Sequence, residues 1–148
     1  MNVLHHTFKF RTAGEWQDVS TIELFKDKKV VLFGLPGAFT PTCSSKQLPG
    51  YEESYNKFKE LGIDEVYCIS VNDAFVMNAW ADAQGIEKVK MIPDGCGTFT
   101  RSLGMLVNKP KQGFGLRSWR YSMIIDNEII TYLAEEPGIN NFSNDSDP

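Results

Sequence analysis

Two apolar runs, at residues 29–35 and 65–71, constrain the fold more than any other feature of the sequence. KVVLFGL and EVYCISV both carry large apolar or β-branched residues at successive positions, so neither has a polar face. Strands of this kind lie inside a sheet that is covered on both sides. Between the runs, apolar residues three and four apart predict a helix over 42–61 with a break at Pro49. A strand–helix–strand unit indicates an α/β domain.

The rest of the chain extends this pattern. HHTFKF has strand-like alternation, NDAFVMNAWADAQG predicts a capped helix, and residues 89–92 predict a third core strand. A short helix around 98–104, a glycine- and lysine-rich loop over 107–118 and a hairpin over 119–136 follow. We therefore predict one α/β domain over residues 1–148, with a mixed central sheet flanked by helices and a loose polar tail at 139–148.

Composition argues against several classes of protein. The net charge of −4 does not suit a surface that follows nucleic-acid phosphates. No apolar run approaches the roughly 20 residues of a membrane span, and the N-terminus lacks a signal-peptide core. We therefore expect a cytoplasmic protein without nucleic-acid or membrane partners, whose thiols are kept reduced.

Three cysteines, Cys43, Cys68 and Cys96, lie too far apart in sequence for a CxxC redox motif or a zinc finger. Cys68 lies in the middle of the second apolar run, where burial keeps a thiol neutral and inert. Cys96, in the turn DGCG, is expected to be exposed and either incidental or able to form mixed disulfides. Cys43 has different surroundings.

Cys43 follows a core strand in the stiff, polar sequence LPGAFTPTCS. Thr40 and Pro41 suit a helix start, as cap and first helical residue, and Pro36 fixes the turn that leaves the strand. Amides in the first turn of a helix lack intrahelical partners, and the dipole there favours an anion. The motif therefore predicts a thiolate at the carboxyl edge of the sheet, where ligands of α/β proteins bind.

Arg120 is the second candidate residue. Strand alternation in SWRYSMIID puts Trp119 and Tyr121 on one face and Arg120 on the other. A guanidinium beside a core strand needs an anion, because burying an unpaired charge is costly. The sequence leaves two kinds of partner open: a carboxylate such as Glu52 or Glu53, and the thiolate of Cys43.

Other uses of the thiol stay open on the residues alone. A cysteine hydrolase would need His5 or His6 brought to Cys43 with a third group to orient it. A redox sensor would share its first oxidation step with a peroxidase. A purely structural cysteine would show ordinary reactivity.

Several sequence blocks resemble the peroxiredoxins. PGAFTPTCS has the P-x-x-x-T-x-x-C spacing of that family, and its flanks are similar to the Prx5 (type II) subfamily. SSKQLPGY, CISVNDAFVMNAW and GFGLRSWRYSMII carry the resemblance from about residue 24 to 137. IPDGCGTFT and RSWRYSM are most similar to bacterial peroxiredoxin domains that are fused to, or served by, a glutaredoxin.

The resemblance implies a thioredoxin-like fold and a thiol peroxidase without a prosthetic cofactor. It implies that Cys43 is the peroxidatic cysteine, that Pro36 shields the pocket, and that Thr40, Arg120 and the Cys43 amide hydrogen-bond the sulfur and the peroxide. Hydrogen peroxide and organic hydroperoxides are the expected substrates, and a homodimer is the expected assembly. The family usually continues past EEPG into a C-terminal helix, and because this chain ends at NDSDP we expect it to lack that helix.

Oxidation of Cys43 would give a sulfenic acid that a second thiol must reduce. Type II plant members have a cysteine 25 residues after the peroxidatic one, the spacing of Cys68, while Cys96 matches no family pattern. We favour a 1-Cys cycle in which glutathione or a glutaredoxin is the reductant. A 2-Cys cycle through Cys68 or Cys96 is the alternative.

Overall fold

A five-stranded mixed sheet forms the centre of the computed structural model, which describes residues 1–137. Its strands are β3 (Lys29–Gly34), β4 (Glu65–Ser70), β5 (Lys90–Pro93), β8 (Tyr121–Asp126) and β9 (Ile129–Glu135). Their spatial order is β5-β4-β3-β8-β9. The pairs β3–β4 and β4–β5 are parallel, while β3–β8 and β8–β9 are antiparallel. The mixed thioredoxin-like sheet predicted from the sequence is thus confirmed, and the predicted tail at 139–148 lies outside the described residues.

In the described part of the chain, four helices cover this sheet, as its two-sided apolar strands require. They are α1 (Thr21–Phe25), α2 (Leu48–Glu60), α3 (Ala74–Ala83) and α4 (Thr98–Ser102). Alternate residues of β3 belong to two separate cores: Val30 and Leu32 to one, Val31 and Phe33 to the other. Not every apolar residue of the predicted helical patterns is buried: Leu61 is 69% exposed and Phe75 is 55% exposed.

Two further hairpins lie outside the central sheet. The first pairs β1 (Thr7–Thr12) with β2 (Glu15–Ser20). The second pairs β6 (Leu106–Lys109) with β7 (Gly115–Ser118), in the segment that the sequence predicted to be a loop. Its strands pair only with each other, and a 3₁₀ turn at Pro110–Gln112 connects them.

The predicted break before α2 is a π-helical turn at Cys43–Gln47, in which the Leu48 amide donates to the Cys43 carbonyl. Proline has no amide hydrogen, and its ring clashes with the carbonyl four residues earlier. The wider turn ends just before Pro49, in the first turn of α2, where proline is tolerated. π-Helical turns are rare in proteins, and those that occur are often at functional sites.

Candidate active site

Cys43 lies at the start of the helix that follows β3. Its side chain is fully buried, in the same core as Phe33 and Leu48. Pro41 is the first helical residue, and the Ser44 amide donates to the Thr40 carbonyl at 3.0 Å, as the sequence predicted for a helix that begins here. The Cys43 amide is therefore in the first turn, where amides have no intrahelical partner.

Arg120 reaches the sulfur of Cys43. Its Nη2 donates to Sγ at 3.8 Å, within the range of a hydrogen bond to sulfur. Arg120 is the residue just before β8 rather than a member of that strand. The alternation expected around it holds, because Trp119 and Tyr121 both pack in the core on the opposite face of the sheet.

Glu52, one of the two carboxylates left open by the sequence, has other partners in the structure. Glu52 accepts hydrogen bonds from the backbone amides of residues 87–89, at 2.9–3.2 Å. It therefore anchors the loop that leads into β5. Of the two kinds of partner left open by the sequence, Arg120 contacts the Cys43 sulfur.

Thr40 is 8% exposed, and its hydroxyl donates to the Gly37 carbonyl at 2.6 Å. A hydroxyl has one hydrogen and two acceptor lone pairs. The resemblance implied a hydrogen bond from Thr40 to the sulfur. While the bond to Gly37 is made, the Thr40 hydroxyl has no second hydrogen to donate to the sulfur. What it offers towards the site is an acceptor.

The other two cysteines occupy different environments. Cys68 is fully buried in β4, in the same core as Cys43. Burial, and secondarily the negative charge of Cys43, raise the pKa of the Cys68 thiol well above its ordinary value. Cys96 is exposed on the loop after β5, where it lines a cavity of about 350 Å³ with Phe8 and Trp16. The burial of Cys68 and the exposure of Cys96 were both predicted.

The structure places the ring of His6 on the side of the sheet away from the thiol. The His6 ring packs edge-on against Phe8, with ring centroids 4.7 Å apart, and lies 6.2 Å from the Phe99 ring. Phe8 and Phe99 belong to the core on the face opposite Cys43. This arrangement does not support the cysteine hydrolase.

Two residues at this edge of the sheet were missed by the sequence analysis. Asn72 accepts hydrogen bonds from the Ala38 amide at 3.0 Å and from the Ser70 hydroxyl at 2.6 Å. Its position two residues after β4 was an available signal, because the carboxyl ends of adjacent parallel strands meet at one edge of the sheet. Arg117 donates to the Pro36 carbonyl at 3.0 Å. The two residues are 81 positions apart, so no local sequence pattern predicts this contact.

Comparison with known proteins agrees with this geometry. The redoxin family model matches residues 5–147. A peroxiredoxin from Rhizobium etli is 58% identical over 123 residues, which are 83% of this chain and 69% of that protein. The chain belongs to the peroxiredoxins of the redoxin family. The peroxiredoxin resemblance stated from the sequence is confirmed.

Solved peroxiredoxin structures share the fold. Reduced Prx3 from Vibrio vulnificus in complex with H₂O₂ is 44% identical, with a TM-score of 0.87 over 92% of this chain and 85% of that one. The Plasmodium falciparum antioxidant protein, a 1-Cys peroxiredoxin, is 39% identical, with a TM-score of 0.90 over 93% and 83%.

Family membership makes the chain a thiol peroxidase. Peroxiredoxins carry no prosthetic group and take a thiol reductant as co-substrate. In the described residues, no helix has the length and apolarity that a membrane crossing needs.

Proposed function

We propose that the chain reduces hydrogen peroxide and organic hydroperoxides at the sulfur of Cys43. The observation that carries the proposal is the 3.8 Å contact between Arg120 Nη2 and a buried sulfur at a helix start. The guanidinium, the helix dipole and the first-turn amides all favour a negative charge at that point.

The thiolate attacks one oxygen of the peroxide, a sulfur–oxygen bond forms and the O–O bond breaks. For H₂O₂ the products are a sulfenic acid and hydroxide, so the sulfur is oxidised and the peroxide is reduced. Arg120 stabilises the charge that develops on the leaving oxygen. Thr40, whose own hydrogen is donated to Gly37, accepts a hydrogen bond from the attacked hydroxyl.

These donors matter more than ionisation alone. An ordinary thiol is about 3% ionised at pH 7, so complete ionisation gains about thirtyfold. The nucleophilicity of a thiolate falls as the pKa of its thiol falls. With a Brønsted slope of ~0.4–0.5, a fall of about two pKa units loses about tenfold in rate. The remaining few-fold corresponds to less than ~1 kcal/mol of barrier. We therefore assign the larger part of the rate to transition-state stabilisation.

We further propose a 1-Cys cycle, with glutathione or a glutaredoxin as reductant in a cytoplasmic setting. The raised pKa of the Cys68 thiol keeps it protonated, and the protonated form is a poor nucleophile. Cys96 is exposed on a different loop from the turn that carries Cys43. The 1-Cys peroxiredoxin among the similar structures supports the same cycle.

Peroxide consumption with glutathione and glutaredoxin tests this function. Many turnovers are expected for the wild type, for Cys68→Ser and for the matched surface control Cys96→Ser, and none for Cys43→Ser. After one equivalent of peroxide, mass spectrometry should find one added oxygen on Cys43. When glutathione is then added, it should find glutathione on Cys43 instead. Consumption of a single equivalent would instead indicate a redox sensor. Loss of turnover in Cys68→Ser or in Cys96→Ser would overturn the 1-Cys assignment.

A further inference from the structure

Arg117 links the β6–β7 hairpin to the turn that carries the active site. Its Nη1 donates to the Pro36 carbonyl at 3.0 Å, and its Nε donates to the Phe114 carbonyl at 3.4 Å. The guanidinium also lies over the Phe114 ring, 5.0 Å from the centroid. The side chain is therefore held from the hairpin side while it donates to the turn.

The turn is built to receive this guanidinium. A methyl group at Gly37 would collide with Nη1 of Arg117, although the backbone of Gly37 is not in the left-handed region that favours glycine. The absence of a side chain at Gly37 thus serves the contact rather than the backbone conformation. Gly37 is also the residue whose carbonyl accepts the hydrogen of Thr40.

Arg117 lies within electrostatic reach of the sulfur. Burial lowers the pKa of its guanidinium, and the negative charge of Cys43 opposes that change. Arginine stays charged under such shifts. The site therefore contains a second positive charge besides Arg120.

We propose that Arg117 is a positioning residue of the peroxide site. It holds the Pro36–Gly37 turn, and with it the Gly37 carbonyl that accepts the hydrogen of Thr40, and it places a second positive charge at that turn. The inference rests on the proposed reaction of Cys43 with peroxide. A charge-assisted hydrogen bond lost from a positioned site corresponds to roughly 10- to 100-fold in rate.

The test measures the single-turnover rate of the full chain with H₂O₂ across a range of pH. Tryptophan fluorescence is the signal, since Nε1 of Trp80 donates to the hydroxyl of Ser44, next to Cys43, at 2.9 Å. Arg117→Met should slow the reaction about 10- to 100-fold and move the half-maximal rate to higher pH. Arg117→Lys should keep the pH profile and stay slow, because an ammonium lacks the planar fork that reaches two carbonyls. Arg101→Met, at an exposed position in α4, is the matched control and should behave as wild type.

Gly37→Ala supplies an independent variant. It should slow the wild type by displacing the guanidinium, and should add little in the Arg117→Met background, where the group that it displaces is gone. Far-ultraviolet circular dichroism checks that each variant folds. Wild-type rate and pH profile in Arg117→Met, or additive effects in the double variant, would overturn the role of Arg117. A wild-type chain that is not oxidised at Cys43 would instead overturn the proposed function.

Discussion

At the residue scale, the Arg120 guanidinium should separate two reactions of the same sulfur. Reduction of H₂O₂ expels hydroxide, which needs a donor, whereas alkylation by iodoacetamide expels iodide, which does not. Arg120→Gln should therefore lower the peroxide rate roughly 10²–10³-fold and the alkylation rate by about tenfold at most, through weaker thiolate stabilisation. Stopped-flow oxidation and timed alkylation measure the two rates.

The matched control is Arg101→Gln, which changes the same side chain at an exposed site. It should leave both rates unchanged. Equal losses of both rates in Arg120→Gln would contradict the assignment, because they would mean that Arg120 acts only through the ionisation of Cys43.

The two arginines differ in how far the sequence reveals them. Arg120 could be predicted, since a charge beside an apolar strand needs an anion, but its partner stayed open between a carboxylate and a thiolate. The fold directs Glu52 to the backbone amides of residues 87–89 and brings Arg120 to the sulfur, which the sequence alone could not show. Arg117 gave no such signal, because its partner is the carbonyl of Pro36, and carbonyls are present at every residue.

At the element scale, the end of β3 is fixed by a close contact with β8. Gly34 pairs with Tyr121 in register, and a methyl group at Gly34 would collide with the Tyr121 ring. That ring is 3% exposed and has little room to move. Gly34→Ala should lower the free energy of unfolding by about 1–3 kcal/mol, the usual cost of overpacking.

Urea unfolding followed by circular dichroism measures the change in free energy. Gly50→Ala is the matched control, because a methyl group there meets nothing within 4 Å and the position is helical. It should not lower stability, since alanine is the better helix former. An equal loss of stability in both variants would exclude the Tyr121 contact as the cause.

The strands of the central sheet were predictable from the sequence, whereas β2, β6 and β7, which lie in the separate two-stranded sheets, were not. β3, β4 and the β8–β9 hairpin follow from apolar runs and alternation. β2 was missed because its sequence, EWQDVS, is polar and largely exposed. β6 and β7 were missed because glycine and lysine there indicate a loop, and the strands pair only with each other. The positive φ angles of Gly113 and Gly115 bend the segment that brings Phe114 beneath Arg117.

At the scale of the whole molecule, two large apolar side chains are exposed beside the site. Phe39 is 56% exposed and Leu116 is 53% exposed. They lie on the two segments that the Arg117–Pro36 hydrogen bond joins. Phe39 also has a φ of 64°, which is unusual for a bulky residue and frequent at functional positions. From these features we propose that the chain forms the homodimer expected from the peroxiredoxin resemblance, through the loops around the site.

Leu116→Asp tests this interface without altering the strained backbone at Phe39. A carboxylate buried between two copies is costly, so the variant should be monomeric at concentrations where the wild type is dimeric. Sedimentation velocity over a dilution series measures the shift. Leu61→Asp, a 69% exposed leucine just after α2, is the matched control and should leave the dimer intact. Single exposed leucines are common on monomeric proteins, so the exposure of Leu116 alone does not require a dimer. A wild type that sediments as a monomer would overturn the homodimer proposal, while the proposed chemistry at Cys43 would stand.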